Sequence, residues 1–173
     1  VEAIRRATPR AIAVPYGRDR HPDHVAASRL LTRAAFLSGL ARYPAAGEKW
    51  RADWLLYYFI NDSIPPSFVV DVSEHYDQKR RALACHATQF TAPAAAGVAT
   101  RLTSPLFQQL VESRDAQFGA LAGVRWAEGV VVKEPLVRAT MLKGGQWISA
   151  SSPSRRLPTP TTVTVRPPTL ASM

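Results

Sequence analysis

Residues 11–40, AIAVPYGRDRHPDHVAASRLLTRAAFLSGL, contain the pattern that decides the fold class. A short apolar run over Ala11–Pro15, bounded by a proline and a glycine, is typical of a buried strand. From Pro22 to Leu40 the apolar residues recur at helical spacing, and the proline and aspartate at the start suit a first helical turn. A strand followed directly by a helix is the building unit of α/β proteins.

The rest of the chain continues this alternation. Apolar segments at 54–60 and 68–72 predict two more strands, and GVVVKEPLV at 129–137 predicts the last one. Helices are predicted from Ser73 to about Ala87, with Cys85 buried in the first of them, and from Pro105 to Ala122. The predicted fold class is therefore α/β, with a sheet of mainly parallel strands flanked by helices.

The composition of the chain limits its domain organisation and its location. The chain has 173 residues, 46% of them hydrophobic, which is enough for one domain with a real core. It has one cysteine, no apolar run long enough to cross a bilayer and nothing like a signal peptide, so we expect a cytoplasmic protein without membrane contact. From Ser149 onward proline, serine and threonine dominate, which predicts a domain over 1–148 and a disordered tail over 149–173.

A cluster of histidines and aspartates follows the first predicted strand. His21 and His24 are three residues apart, so in a helical turn they share a face, and Asp23 between them can orient an imidazole. The cluster lies where open α/β sheets tend to place ligands, just past the carboxyl end of a strand. The alternative is two surface histidines beside an ordinary first-turn acid, because an isolated HxxH is a weak motif.

The longer string RHPDH, preceded by VPYGRD, resembles the second metal motif of the LmbE-like, or PIG-L-like, zinc deacetylases. The segments WLLYYFIND, PPSFVVDVSEHYDQKRRALACHATQF and FGALAGVRWAEGV follow in the order found in the branch that deacetylates N-acetylglucosaminyl-malate in bacillithiol biosynthesis. The resemblance covers roughly residues 2–145. It implies a Rossmann-like fold, a zinc-dependent hydrolase of N-acetyl groups on glucosaminides, and a homo-oligomer.

The resemblance also implies roles for single residues. His24 corresponds to a zinc ligand, while His21, with Asp23 behind it, would stabilise the tetrahedral intermediate and protonate the departing amine. Arg51 and Asn61 match positions near the substrate pocket, where Arg51 could pair with a carboxylate and Asn61 could hydrogen-bond the sugar or acetyl group. A surface arginine and a turn asparagine are the alternatives for these two residues.

One expected motif is absent. The A-H-P-D-D-like segment, which should supply the other histidine ligand, an aspartate ligand and the general base, does not occur in the sequence. We therefore expect an amino-terminally truncated, carboxyl-terminal portion of the fold that is nearly inactive alone, because catalytic zinc usually has three protein ligands. His75 and His86 stand in no comparable motif, and we expect both to be structural or surface residues.

Three other interpretations remain open at this point. The same chemistry could act on another GlcNAc conjugate or on a thiol conjugate. The chain could also be a non-catalytic remnant that only folds or assembles. The third is a basic nucleic-acid-binding module, which the net charge of +9 and the arginines of the first twenty residues suggest. Interleaved aromatics and a recognition helix are missing, so nucleic acid is the weakest of the three.

Overall fold

The computed structural model describes residues 1–90, 100–138 and 147–148. In chain order its elements are α1 (Glu2–Ala7), β1 (Ala11–Pro15), α2 (Pro22–Ser38), β2 (Trp54–Tyr58), β3 (Phe68–Asp71), a 3-10 turn (Ser73–His75), α3 (Tyr76–Ala84), α4 (Ala87–Phe90), α5 (Pro105–Ala122), β4 (Ala127–Val131), β5 (Val137–Arg138) and β6 (Trp147–Ile148). The tail predicted over 149–173 lies outside the described residues.

Four strands form the main sheet in the order β1-β2-β4-β3, and helices flank it, so the α/β class is confirmed. β1 and β2 are parallel, with Ala11 opposite Trp54 and Pro15 opposite Tyr58. β4 runs antiparallel to both β2 and β3, and the separate pair of β5 and β6 is antiparallel as well.

In the main sheet β1, β2 and β3 run in the same direction, as the predicted mainly parallel sheet requires, and β4 alone is reversed. The reason lies in the connection between β3 and β4, which contains the helical segment α3–α4 and then α5. A single helix between two strands runs back along the sheet, so the next strand is parallel to the first. A second long helix reverses the chain once more, so the next strand is antiparallel. The pattern of apolar residues does not distinguish these two paths.

Local sequence explains where the long helices begin and end. Pro22 and Pro105 are each the first helical residue, where a missing N–H does no harm, and the preceding residues, His21 and Ser104, cap the helices with their side chains. α5 ends at Gly123, whose φ of 77° favours glycine. The helix predicted from Ser73 to Ala87 is instead interrupted, and Cys85, which was expected to be buried, is exposed at the end of α3.

The core lies between the sheet and α5. Phe59, Phe118 and Ala127 are buried together there. Gly129 on β4 is needed for this packing, since a Cβ atom at that position would lie 2.7 Å from a ring carbon of Phe118 and 2.9 Å from one of Phe59. Among the described residues no helix is both long and apolar enough to span a membrane.

Candidate active site

The candidate site lies at one edge of the sheet. Because β1 and β2 are parallel neighbours, the segments that follow Pro15 and Tyr58 leave the sheet at the same edge. The first segment carries Asp19 and leads into α2, and the second carries Asn61. The amino end of α2, with His21 and His24, therefore lies beside the segment that follows β2.

Asp19 holds these parts together. Its side chain is only 3% exposed. Its Oδ1 atom accepts hydrogen bonds from the backbone N–H of His21 at 2.8 Å and from Asn61 Nδ2 at 2.9 Å, and it lies 3.0 Å from His24 Nδ1. Its Oδ2 atom accepts from the backbone N–H of Asn61 at 3.0 Å. One carboxylate thus joins the loop after β1, the first turn of α2 and the segment after β2.

The hydrogen bonds determine the charge of this carboxylate. Burial disfavours the charged form of Asp19 and on its own would raise the pKa. The hydrogen bonds from His21, Asn61 and His24 outweigh burial and lower the pKa of Asp19 to about 2. Asp19 is therefore a carboxylate at neutral pH.

The two histidine rings stack on each other. Their centroids are 4.7 Å apart and their planes are inclined by 26°, so the shared face expected from the spacing is confirmed. The side chain of His21 is 52% exposed and that of His24 is 27% exposed. His24 is the more deeply held ring, and a buried carboxylate behind a histidine is the usual partner of a metal-binding imidazole.

Asp23 does not stand behind His21 as the sequence suggested. Its carboxylate is 4.0 Å from His21 Nδ1 and points into solvent, with 87% of the side chain exposed. The contact at hydrogen-bond distance is made by the backbone N–H of Asp23, which donates to His21 Nδ1 at 3.2 Å. A catalytic role of Asp23 stays a prediction.

The structure separates the two residues predicted to contact substrate. Asn61 belongs to the cluster through both of its bonds to Asp19. Arg51 is exposed, and its guanidinium lies against Gly39, at the far end of α2 from His21. An α-helix rises about 1.5 Å per residue, so the ends of α2 are about 24 Å apart. The structure does not bring Arg51 to the cluster, and its role in substrate binding stays a prediction.

The described residues do not form a complete zinc site. None of them form a group of three His, Cys, Asp or Glu side chains able to hold a metal ion. His24 fits a single ligand, because Asp19 occupies Nδ1 and no described residue hydrogen-bonds Nε2. A catalytic zinc site needs about three protein ligands, so the residues seen here do not fit a complete one.

The residue that sequence reasoning missed is Asp19. It follows a glycine and an arginine in a loop, which gives no sign of burial. The only available signal was its position, four residues past the end of β1 and two before the helix cap. Asn61, which completes its environment, lies 42 positions further along the chain.

Next to the site, α5 supports the segment that carries Asn61. Arg114 Nη1 donates to the carbonyl oxygen of Ile60 at 2.8 Å. The same arginine lies 3.4 Å, through Nε, from a carboxylate oxygen of Asp115, which is buried between α3 and α5. A cleft of about 300 Å³ is bordered by Ile60, Arg114 and Asp115 together with apolar side chains of α3 and α5.

These features define a class before any comparison: an α/β protein with an imidazole–carboxylate cluster at the carboxyl edge of a parallel strand pair. No family model matches the chain. A curated deacetylase of Rhodococcus opacus, named for 1D-myo-inositol 2-acetamido-2-deoxy-alpha-D-glucopyranoside, is 30% identical over 162 residues, which covers 75% of this chain and 55% of that protein. The similarity supports the LmbE-like resemblance and does not single out the bacillithiol branch.

Solved structures agree on the fold. A conserved protein of Thermus thermophilus matches with a TM-score of 0.68 and 34% identity, over 79% of this chain and 57% of its own. Two structures under 20% identical share the fold alone, each with a TM-score of 0.60. They are N,N'-diacetylchitobiose deacetylase of Pyrococcus horikoshii (18% identity, 76% of this chain, 48% of its own) and 4-carboxy-2-hydroxymuconate hydratase of Pseudomonas putida (19%, 81% and 58%). The chain spans about half the length of these proteins.

Proposed function

We propose that the cluster of Asp19, His21, His24 and Asn61 is part of the active site of a hydrolase that removes the N-acetyl group from an N-acetylglucosaminide. One observation carries the proposal: two stacked histidines, one backed by a buried carboxylate, lie at the edge of the sheet where this fold class binds ligands. The similarity to a curated deacetylase over 75% of the chain supports it. Among possible substrates we propose N-acetylglucosaminyl-malate of bacillithiol biosynthesis first.

The exposed ring is suited to the chemistry of amide cleavage. Hydrolysis passes through a tetrahedral oxyanion, and the departing amine must gain a proton. His21 is half exposed at the edge of the sheet, and an imidazole there can donate a hydrogen bond to the oxyanion and later a proton to the amine. Asn61 fixes Asp19, and its position allows a role in holding the acetyl or sugar group.

We propose zinc as the metal, with His24 as one ligand. When bound, zinc would lower the pKa of a water molecule to about 7 and so supply the nucleophile. The described residues do not form a set of three ligands, so activity of the complete protein is part of the proposal. A cytoplasmic location is proposed as well. Another GlcNAc conjugate or a thiol conjugate is the alternative substrate with the same chemistry.

The structure weakens the nucleic-acid alternative. Arg5 is buried, and its guanidinium donates to backbone carbonyls that follow α2, among them that of Leu40 at 2.7 Å. Arg10 pairs with Asp53 at 3.3 Å. Of the arginines that suggested a basic binding surface, Arg5 is therefore engaged inside the protein, whereas Arg10, with 86% of its side chain exposed, stays on the surface beside Asp53.

The experiment is a substrate panel on the complete product of the gene. It compares N-acetylglucosaminyl-malate, the inositol conjugate and N,N'-diacetylchitobiose, and measures free amine and acetate. We expect equal amounts of both products, from the malate conjugate above the others, and no turnover when both His21 and His24 are replaced by alanine. Release of neither product from any substrate, by a folded and zinc-loaded protein, would overturn the proposed function; preference for another conjugate would overturn only the proposed substrate.

A further inference from the structure

Each of the two stacked rings has one nitrogen held by the protein, and the two partners differ in kind. His24 Nδ1 lies 3.0 Å from a carboxylate oxygen of Asp19. His21 Nδ1 lies 3.2 Å from the backbone N–H of Asp23. A carboxylate only accepts hydrogen bonds and a backbone N–H only donates them. The two contacts therefore require opposite states of the two Nδ1 atoms.

At His24 the environment favours a proton on Nδ1. Oδ1 of Asp19 already accepts from two other N–H groups, so this oxygen behaves as an acceptor throughout. A lone pair on Nδ1 would face a negatively charged oxygen at 3.0 Å, which is repulsive. Asn61 Nδ2 is also near Nδ1, at 3.5 Å, but it makes its shorter bond, of 2.9 Å, to Asp19. His24 therefore keeps its lone pair on Nε2.

At His21 the helix determines the outcome. His21 is the N-cap of α2, and the N–H of Asp23 is one of the first-turn donors that lack a partner within the helix. The side chain that caps this donor must offer an electron pair, so Nδ1 of His21 is unprotonated. In the neutral ring the proton then lies on Nε2.

We infer that the fold holds the two stacked imidazoles in opposite tautomers, His24 with its proton on Nδ1 and His21 with its proton on Nε2, and that Asp19 is the positioning residue that selects the His24 tautomer. One ring then presents a lone pair and its neighbour an N–H group. The inference holds whichever reaction or metal the site serves, because it depends only on contacts within the chain.

The test uses the metal-free chain of 173 residues, with ¹⁵N-labelled histidine, at alkaline pH. Two-bond ¹H–¹⁵N spectra report which ring nitrogen carries the proton. We expect pyrrole-type Nδ1 with pyridine-type Nε2 for His24, and the reverse for His21. His75 and His86, both exposed, supply an unconstrained reference within the same molecule. A proton on Nε2 of His24 would overturn the inference, and so would one on Nδ1 of His21.

Matched variants distinguish the role of Asp19 from that of Asp23. Asp19→Ala should shift the His24 signals to those of His75 and His86. Asp23→Ala should leave both rings unchanged, because alanine keeps the backbone N–H that donates to His21 and the Asp23 carboxylate, at 4.0 Å, lies beyond hydrogen-bond distance. If Asp19→Ala does not fold, Asp19→Asn, with one oxygen instead of two, should move His24 part of the way. Unchanged His24 signals in a folded Asp19 variant would overturn the role of Asp19. A changed His21 tautomer in Asp23→Ala would overturn the role of the helix cap.

Discussion

Asp19 and Asp115 are both buried carboxylates with several donors, yet they serve different parts of the molecule. Asp19 accepts only from neutral backbone, amide and imidazole groups at the edge of the sheet. Asp115, 1% exposed, accepts from Lys79 Nζ at 2.7 Å and from the hydroxyl of Tyr76 at 3.0 Å. Lys79 and Arg114, two of the donors to Asp115, are cations. One donor to Asp19 is instead the His24 ring, which has a second nitrogen for another partner.

The donors around Asp115 make further contacts inside the protein. Lys79 also bonds Glu128 on β4, and the ring of Tyr76 stacks on Trp126 with centroids 4.0 Å apart. Burial, and then the charge of Asp115, raises the pKa of the Tyr76 hydroxyl, which therefore stays a donor. This cluster joins α3, α5 and β4 through Asp115, the buried carboxylate at its centre. We conclude that Asp115 serves stability and that Asp19 serves the presentation of His24.

The largest expected effect concerns activity. In the complete gene product, His24→Ala should lose bound zinc and turnover together, because it removes a ligand. His21→Ala should keep its zinc and a similar KM, while kcat falls by about 10² to 10⁴. Both variants should still fold, although His21→Ala removes the side-chain cap of α2 and His24→Ala removes the stabilisation by bound zinc. Metal analysis with steady-state kinetics checks this, and equal zinc loss in the two variants would mean that both histidines are ligands.

A substitution in the Asp115 cluster should lower the free energy of unfolding. Asp115→Ala removes the acceptor of the Tyr76 hydroxyl and one of the two carboxylates that bind Lys79. We expect a loss of about 3 kcal/mol, the lower end of the range for a broken buried ion pair, because Lys79 keeps Glu128. The control is Asp77→Ala, which removes an exposed carboxylate paired with Arg80 and should change the unfolding free energy by less than about 1 kcal/mol. Urea unfolding measures both. Similar values for the two variants would remove the distinction between Asp115 and a surface acid.

Zinc binding tests whether the Asp19 cluster is a complete metal site. The chain of 173 residues should hold zinc weakly, because the described residues bring one candidate ligand rather than three. After dialysis against a mild chelator we expect well under stoichiometric zinc by elemental analysis. Stoichiometric zinc together with deacetylase turnover would show that ligands have been overlooked.

Local signals predicted much of the fold. The bounds of β1 and α5 are as predicted, because proline and glycine mark their ends in the sequence itself. Strand direction at β4 could not be predicted, since it depends on how many helices cross the sheet before it. The two histidines were found from their spacing, which the chain carries locally.

Residues whose role depends on distant partners were missed or misread. Asp19 is buried only because Asn61 arrives from the end of β2. Arg5 was counted as surface charge, but it binds carbonyls more than 30 positions away. Arg51, assigned to the substrate by resemblance, lies against Gly39, and its contact with substrate stays a prediction. In each case the deciding contact is long-range, and no periodic pattern encodes it.

The smallest expected effect compares the two residues predicted to contact substrate, which lie on either side of β2. Asn61→Ala removes one donor to Asp19 and should lower stability by about 1 kcal/mol. Arg51→Ala changes an exposed side chain and should alter stability by no more than about 0.5 kcal/mol. If Arg51 lies far from bound substrate, as its position in this chain suggests, KM of the complete gene product should also stay unchanged in Arg51→Ala. A charged hydrogen bond to a substrate carboxylate is worth about 1.5–3 kcal/mol, so a rise in KM of roughly tenfold or more would restore Arg51 as a substrate residue. The substrate would then have to extend from the histidine cluster to Arg51, at the other end of α2.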